Sequence, residues 1–120
     1  MYEVRFYRNR RGEEPVREYL EQLKQRSGKD ARLNYEKITD YLRLLRQYGT
    51  ILGKPVIDYL GNGIWELRPL RNRILFIVWH DNRFILLHCF IKATQKTPKS
   101  EIEKAKREYA EIKERGDIYE

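Results

Sequence analysis

Two neighbouring apolar segments in the second half of the chain constrain its fold more than any other feature. Residues 74–79 are apolar at every position, and residues 84–91 form the longest predominantly apolar run of the sequence. Short segments that are apolar on both faces are typical of strands in the middle of a sheet. The pair Asp81-Asn82 between them predicts a tight two-residue hairpin, in which residue 80 faces residue 83. The chain is therefore expected to fold around a central antiparallel pair of strands.

The first half of the chain predicts one strand followed by two helices. Apolar and polar side chains alternate over residues 2–7, which is typical of a half-exposed strand. Apolar side chains at helical spacing predict a helix that opens at Pro15 and stops at Gly28. A second helix is expected to be capped by Asp30 and to end at Gly49. Each helix has one apolar stripe, so each needs a flat apolar surface to cover.

The second half predicts the rest of the sheet and a final helix. Three strands are expected, over residues 64–70, 73–80 and 83–92. Residues 56–60 are a further candidate for a short strand. Thr97 and Pro98 are typical of an N-cap and a first helical position. The element order β-α-α-β-β-β-α predicts a single α+β domain over residues 1–120, with a mainly antiparallel twisted sheet and helices packed largely on one face.

The positive charge of the chain is concentrated where the predicted strands lie. The formal net charge is +7, and residues 61–100 carry seven Lys and Arg side chains against two Asp and Glu. A basic surface on a sheet indicates a polyanionic partner, which is RNA, DNA or an acidic protein. A solvated surface without a partner is the alternative.

Cysteine usage and hydropathy favour a cytoplasmic protein with no membrane association. Cys89 is the single cysteine, so it is expected to be a small buried hydrophobic residue in a reducing compartment. No segment approaches the roughly 18 consecutive apolar residues of a membrane span. The N-terminal residues also lack the apolar centre of a signal peptide.

Alternation along the strands predicts that four cations meet at one end of the sheet. Arg68 ends one strand and Arg73 begins the next, so a short turn brings them close. In the predicted hairpin Arg73 faces Phe90, which places Lys92 just beyond Arg73, and Lys96 follows within reach of a turn. The side chains expected on the same face as Lys92 are those of Phe90, His88, Leu86 and Phe84.

This arrangement of cations suits a phosphodiester of RNA. A guanidinium group offers a planar, permanently charged fork that matches phosphate oxygens. RNA carries its own nucleophile, the 2′-hydroxyl, so an enzyme has to position it, remove its proton, stabilise the phosphorane charge and protonate the leaving oxygen. This chemistry requires no metal, and no His, Cys and carboxylate cluster has metal-ligand spacing. His80 and His88 are expected to be structural.

Three segments of the second half resemble a known family of proteins. They are Trp65-Glu66-Leu67-Arg68-Pro69, Arg73-Ile74-Leu75-Phe76 and residues 87–98, LHCFIKATQKTP. Together they resemble the RelE/ParE superfamily of toxins, and within it the HigB-like branch, which is also described as phage-derived Gp49-like proteins. The resemblance covers nearly the whole chain and includes the order of the elements, so it implies a RelE-like fold.

The resemblance implies the toxin of a type II toxin–antitoxin pair. Such toxins typically enter the ribosomal A site and cleave mRNA during translation. A HigA-like helix-turn-helix antitoxin neutralises the toxin, and the complex represses its own operon. Contact with operator DNA is thus expected only through the antitoxin complex. No cofactor is implied.

The resemblance also carries the family's site residues onto this chain. Arg68, Arg73, Lys92 and Lys96 match basic positions of the RNA-cleaving surface, and Arg71, Lys99 and Arg68 are expected to bind RNA. Relatives often read F-x-K-K-T, whereas this chain has Ala93 in place of the second lysine. Either Lys92 or Lys96 is therefore the expected proton acceptor or electrostatic support.

Two other functions are compatible with these residues. ParE-like members bind and inhibit DNA gyrase without catalysis, and a non-toxic nucleic-acid-binding module is a third class. The cluster of Arg68, Arg73, Lys92 and Lys96 favours the nuclease, because a protein-binding inhibitor has no chemical need for it. Codon specificity, the need for the ribosome, the antitoxin's position and the oligomeric state stay open.

Overall fold

The computed structural model describes residues 1–119 and contains five strands and three α-helices. In chain order they are β1 (Glu3–Phe6), α1 (Pro15–Gln25), α2 (Lys29–Tyr48), β2 (Ile57–Gly61), β3 (Ile64–Leu67), β4 (Asn72–Trp79), β5 (Arg83–Ile91) and α3 (Lys99–Glu114). Short 3₁₀ helices follow α2 at Gly49–Leu52 and α3 at Gly116–Tyr119. The predicted α+β fold and element order are confirmed, and the candidate strand at 56–60 is present as β2.

The five strands form one mixed sheet in the order β1-β5-β4-β3-β2. Strand β1 runs parallel to β5, and the other neighbouring pairs are antiparallel. The two apolar segments, residues 74–79 and 84–91, lie in β4 and β5, and each of these strands has a neighbour on both sides. Their central position explains why nearly every side chain of β4 is buried.

The turn between β4 and β5 is one residue longer than predicted. Trp79, rather than His80, pairs with Arg83, and His80 adopts a positive φ of 60° in the three-residue connection. Between Leu75 and Phe76 the register then shifts, because β5 carries one extra residue in a β-bulge. The bulge compensates for the longer turn, so the predicted pairing of Arg73 with Phe90 is confirmed.

Because of the bulge, the side chains of β5 do not all lie on the faces predicted for them. An extra residue reverses the alternation of side chains beyond it. Phe84 and Leu86 therefore pack beneath α1 and α2, whereas His88 and Phe90 lie on the opposite face with α3. The expectation that all four share the face of Lys92 is wrong for Phe84 and Leu86.

Helices cover both faces of the sheet rather than mainly one. On one face α1 and α2 bury a core whose members include Val16, Ile38, Leu45, Ile74, Phe76 and Phe84. On the other face α3 buries a second core whose members include Ile64, Leu75, Ile77, Ile85, Ala105 and Ile112. The prediction of one covered face holds for α1 and α2 only, because β4 and β5 are apolar on both sides and need a layer on each. None of the described helices is long and apolar enough to cross a bilayer.

The two predicted side-chain caps are wrong. Helix α2 starts two residues earlier than expected, with Gly28 at the N-cap, so Asp30 lies inside the first turn. Helix α3 has Pro98 at its N-cap, and the Thr97 hydroxyl donates to Glu66 instead. Thr97 therefore joins its segment to the sheet rather than to the helix.

Replacing Gly49, which ends α2, is expected to destabilise the fold through a steric clash. Its backbone lies at φ 65° and ψ −150°, and an added Cβ would come within 2.6 Å of the Tyr2 ring. Gly49→Ala should therefore lower the free energy of unfolding by about 2–4 kcal/mol, as backbone strain and overpacking add. Urea denaturation measures the change.

Gly28→Ala is the matched control for that substitution. Gly28 occupies a similar backbone region at φ 109° and ψ 160°, but an added Cβ would meet nothing within 4 Å. It should show the strain alone, at about 1–3 kcal/mol. Equal losses in the two variants would contradict the packing of Tyr2 against Gly49.

Cys89 is expected to be chemically protected in the native chain. It is partly buried against the core beneath α1 and α2, and burial raises the pKa of its thiol to about 12. Iodoacetamide at mildly alkaline pH should label the unfolded chain and leave the native chain unmodified, because the thiolate is the reactive form. Since the native pKa lies above the unfolded value, this group's contribution to stability is lost as the pH rises from about 9 towards 12. Native labelling as fast as unfolded labelling, measured by intact mass, would show that Cys89 is open to solvent.

Candidate active site

The ends of three strands and one following segment form a cationic corner of the sheet. Arg68 follows β3, Arg73 is the second residue of β4 and Lys92 follows β5. The antiparallel pairing puts these three strand ends together. Arg73, Lys92 and Lys96 line one small pocket, whose other walls are Phe90, Ala93, Thr94, Gln95, Thr97 and Pro98. The predicted convergence of these side chains is thus seen in the structure.

A buried carboxylate, Glu66, holds this corner together. Its side chain lies in β3 and the residue is only 2% exposed. Its Oε1 lies 3.7 Å from Nε of Arg68 and 3.9 Å from Nε of Arg73. Its Oε2 accepts a hydrogen bond of 2.5 Å from the Thr97 hydroxyl. One acid therefore joins two arginines to the segment that carries Lys92 and Lys96.

Arg73 is a fixed cation at the base of the pocket. The residue is 6% exposed, and its Nη1 donates to the carbonyl oxygens of Leu70 at 2.9 Å and Asn72 at 2.8 Å. Burial lowers the pKa of its guanidinium, and the neighbouring Arg68 lowers it further. A guanidinium nevertheless stays charged in proteins. The pocket therefore contains a positive charge whose position is fixed by these two hydrogen bonds.

Arg68 is held less completely than Arg73. Its side chain is about a quarter exposed, and among the residues that the structure describes its buried Nε has no hydrogen-bond partner. A buried donor without a partner is costly. The exposed quarter of the Arg68 side chain, rather than its buried Nε, is therefore accessible to a ligand at the corner.

Arg71 and Lys92 fix the backbone around the pocket. The Lys92 amide donates to the Arg71 carbonyl at 2.7 Å, and the Arg71 guanidinium donates to the Lys92 carbonyl at 2.9 Å. Beside them an open groove of about 460 Å³ is lined by Leu70, Arg71, Lys92, Ala93, Thr94 and Gln95. Within the segment the Thr94 hydroxyl donates to the Lys96 carbonyl at 2.7 Å. These bonds give the lysine-bearing segment a defined path.

Lys99 is the predicted site residue that stands apart. It is exposed at the first residue of α3, and it lines neither the pocket of Arg73 nor the groove of Arg71. Its position after Pro98 leaves it on the outer rim of the corner.

Two residues of the corner were missed by the sequence analysis. Glu66 could have been noticed as an acid in a mostly apolar strand, on the same face as Arg68. Asn72 gave no such signal. It is fully buried, its Oδ1 accepts from the Tyr19 hydroxyl at 2.6 Å, and its Nδ2 donates to Asn34 Oδ1 at 2.8 Å. Asn72 thereby ties α1 and α2 to the start of β4, between Arg71 and Arg73.

His88 connects β5 to α3 away from the pocket. Its Nδ1 lies 2.6 Å from Glu108 Oε1 and its Nε2 lies 3.0 Å from Glu101 Oε1. Both ring nitrogens are thus occupied by carboxylates of the same helix. Across residues 1–119, no three His, Cys, Asp or Glu side chains are grouped in a way that would hold a metal ion.

The five-stranded mixed sheet, its helices and its element order define a RelE-like α+β protein. The family described as Phage derived protein Gp49-like (DUF891) matches residues 18–110. The chain belongs to this family, which is the HigB-like toxin family of the RelE/ParE superfamily. The match includes most of α1, all of α2 and every strand of the corner. A comparison with curated proteins finds no match.

Removing the charge of Glu66 is expected to destabilise the corner. In Glu66→Gln the shape is kept, but two largely buried guanidinium groups lose their carboxylate, so we expect a loss of about 2–4 kcal/mol in unfolding free energy. Chemical denaturation measures it. Glu103→Gln is the control, because Glu103 pairs with Lys106 on the exposed surface of α3, and it should change stability by less than about 0.5 kcal/mol. A neutral Glu66→Gln would show that the corner does not depend on this acid.

Proposed function

We propose that the chain is the toxin of a type II toxin–antitoxin pair and that it acts as a metal-independent, ribosome-dependent mRNA endonuclease. The observation that supports this most is the pocket that joins Arg73, Lys92 and Lys96, with Arg68 attached through Glu66. Membership of the HigB-like toxin family supports the toxin class. A nuclease needs such a concentration of fixed positive charge, because its reaction adds negative charge to a phosphate.

The proposed reaction uses the RNA's own 2′-hydroxyl as nucleophile. Its oxygen attacks the adjacent phosphorus while a base takes its proton. The bond from phosphorus to the 5′ oxygen then breaks, and that oxygen receives a proton as it leaves. The products are a 2′,3′-cyclic phosphate and a 5′-hydroxyl, so neither water nor a metal ion is consumed in this step.

Each residue of the pocket has a proposed role. Arg73 stabilises the phosphorane, because its buried guanidinium is held in place by two backbone carbonyls. Arg68 grips the scissile or the adjacent phosphate with the exposed part of its side chain. Arg71 and Lys99 contact the RNA on either side, from the open groove and from the start of α3.

Lys92 and Lys96 are the two amines that line the pocket, and either serves as proton acceptor or as electrostatic support. Ala93, which replaces a lysine common in relatives, lines the same pocket and contributes no charge. Lys92 and Lys96 are therefore the two candidates for that role in this pocket.

The proposal includes a cytoplasmic setting and three partners. They are a HigA-like helix-turn-helix antitoxin, mRNA in the ribosomal A site, and operator DNA reached only through the antitoxin complex. Net positive charge favours rapid association both with RNA and with an acidic protein.

Brief induction of the wild-type chain is expected to cut translated transcripts in cells. The 5′ ends would be mapped on translated and untranslatable versions of one reporter mRNA, beside Arg73→Ala at equal protein level. We expect new cuts only in the translated message, reduced about 100-fold or more in the variant, as for the loss of one donor that stabilises a transition state. Lys92→Met and Lys96→Met test the two amines separately without removing a buried group.

Arg43→Gln is the control for this experiment. Arg43 lies on the exposed surface of α2, paired with Asp40, so its variant should cut like the wild type. Intact transcripts despite growth arrest would contradict the nuclease and point to a gyrase inhibitor, which gyrase-dependent DNA breaks would identify. Cuts in both messages would show a nuclease that does not need the ribosome.

A further inference from the structure

A second basic surface lies at the end of the α1–α2 hairpin, and no predicted site residue belongs to it. A groove of about 380 Å³ is lined there by Leu23, Lys24, Arg26, Ser27, Gly28, Arg32 and Tyr35. Lys29 stands in the same turn, so residues 22–32 carry four cations against one acid, Asp30. No acid lines the groove itself. The floor is apolar, because Leu23 is buried and Tyr35 is partly buried.

The cations of this groove differ from most arginines of the surface in having no acidic partner. Arg5, Arg10 and Arg83 each lie within 3.3 Å of a carboxylate oxygen. No ion pair joins Lys24, Arg26, Lys29 or Arg32 to another side chain that the structure describes. Four cations close to a single acid repel one another and cost free energy in the absence of a ligand, and a polyanion lowers that cost.

Hydrogen bonds join the two helices of the groove to the start of β4 in the cationic corner. Asn72, which stands between Arg71 and Arg73, bonds Tyr19 of α1 and Asn34 of α2. Lys24 lies only five residues beyond Tyr19, which is about 7.5 Å along the helix axis. Arg32 lies two residues before Asn34. The end of the hairpin and the corner are therefore neighbours on the same end of the molecule.

We propose that this groove binds the phosphodiester backbone of RNA next to the segment held in the pocket of Arg73. The inference rests on the proposed nuclease function and extends its substrate contact from the sheet corner to the helical hairpin. Guanidinium and ammonium groups from both helices contact successive phosphates, and the ring of Tyr35 offers a surface against which a base or sugar packs. Such contacts position the strand without reading its sequence.

The test is direct binding of the purified full chain to a fluorescent 2′-O-methyl oligouridylate. This probe has no 2′-hydroxyl, so binding is measured without cleavage. Lys24→Gln with Arg32→Gln removes one cation from each wall of the groove. We expect about tenfold weaker binding at low salt, and a slope of log K against log salt that is smaller by about 1.4, since each single-strand phosphate contact contributes about 0.7.

The matched control is Lys104→Gln with Arg107→Gln. These side chains are also exposed, and the pair also removes one Lys and one Arg, but they line a groove on α3 that contains Glu13, Glu18, Glu108 and Glu111. Their variant should bind within about twofold of the wild type. Thermal unfolding of both double variants should match the wild type, because none of the four exposed side chains forms a hydrogen bond or an ion pair with a residue that the structure describes.

Each outcome decides the proposal. Unchanged binding by the hairpin variant would overturn it and leave an acidic protein as the occupant of the groove. Equal losses in the hairpin variant and the control would overturn it too, because net charge alone would then explain the affinity. Weaker binding by the hairpin variant alone supports the proposal. Intact transcripts in cells that make the wild-type chain would count against the nuclease function but not against RNA binding by this groove.

Discussion

The corner of this protein depends on one buried carboxylate. Glu66 is 2% exposed, yet two guanidinium groups and a hydroxyl surround it. A charge at that depth is tolerated only when it is paired and hydrogen-bonded. Its partners belong to three different segments, the end of β3, the start of β4 and the segment after β5. The contacts that surround Glu66 therefore also determine where these segments lie relative to one another.

Because helices cover both faces of the sheet, charged side chains gather at the end of the sheet. Strands β4 and β5 are buried above and below, so cations cannot project from their middle. Arg68, Arg73 and Lys92 stand where these strands and β3 begin or end, and the backbone there is free to turn. The α1–α2 hairpin reaches the same end because Asn72 anchors it. The proposed RNA contacts thus follow from how the layers pack.

The sequence was sufficient for the elements and for the meeting of the cations, but not for their supports. Alternation identified the first strand and continuous apolar runs identified the central two, whereas the pairing of Arg73 with Phe90 was predicted from a turn that was one residue too short. Two errors cancelled there, because a β-bulge is set by tertiary packing and has no local signature. Three other features depend on contacts between distant segments. They are the position of α3 on the face opposite α1 and α2, the hydrogen bond of Thr97 to Glu66, and the hydrogen bonds of Asn72 to the two helices. Local patterns do not contain such contacts.

The parallel pairing of β1 with β5 has a consequence for the order in which the chain is made. Glu3 is aligned with Arg83 and forms an ion pair of 2.9 Å with it. During synthesis β1 has no neighbour in the sheet until β5 has been translated. The helical hairpin can form early, but the sheet and the corner close only near the end. The corner that carries Arg68, Arg73 and Lys92 therefore cannot assemble before β5 has been made.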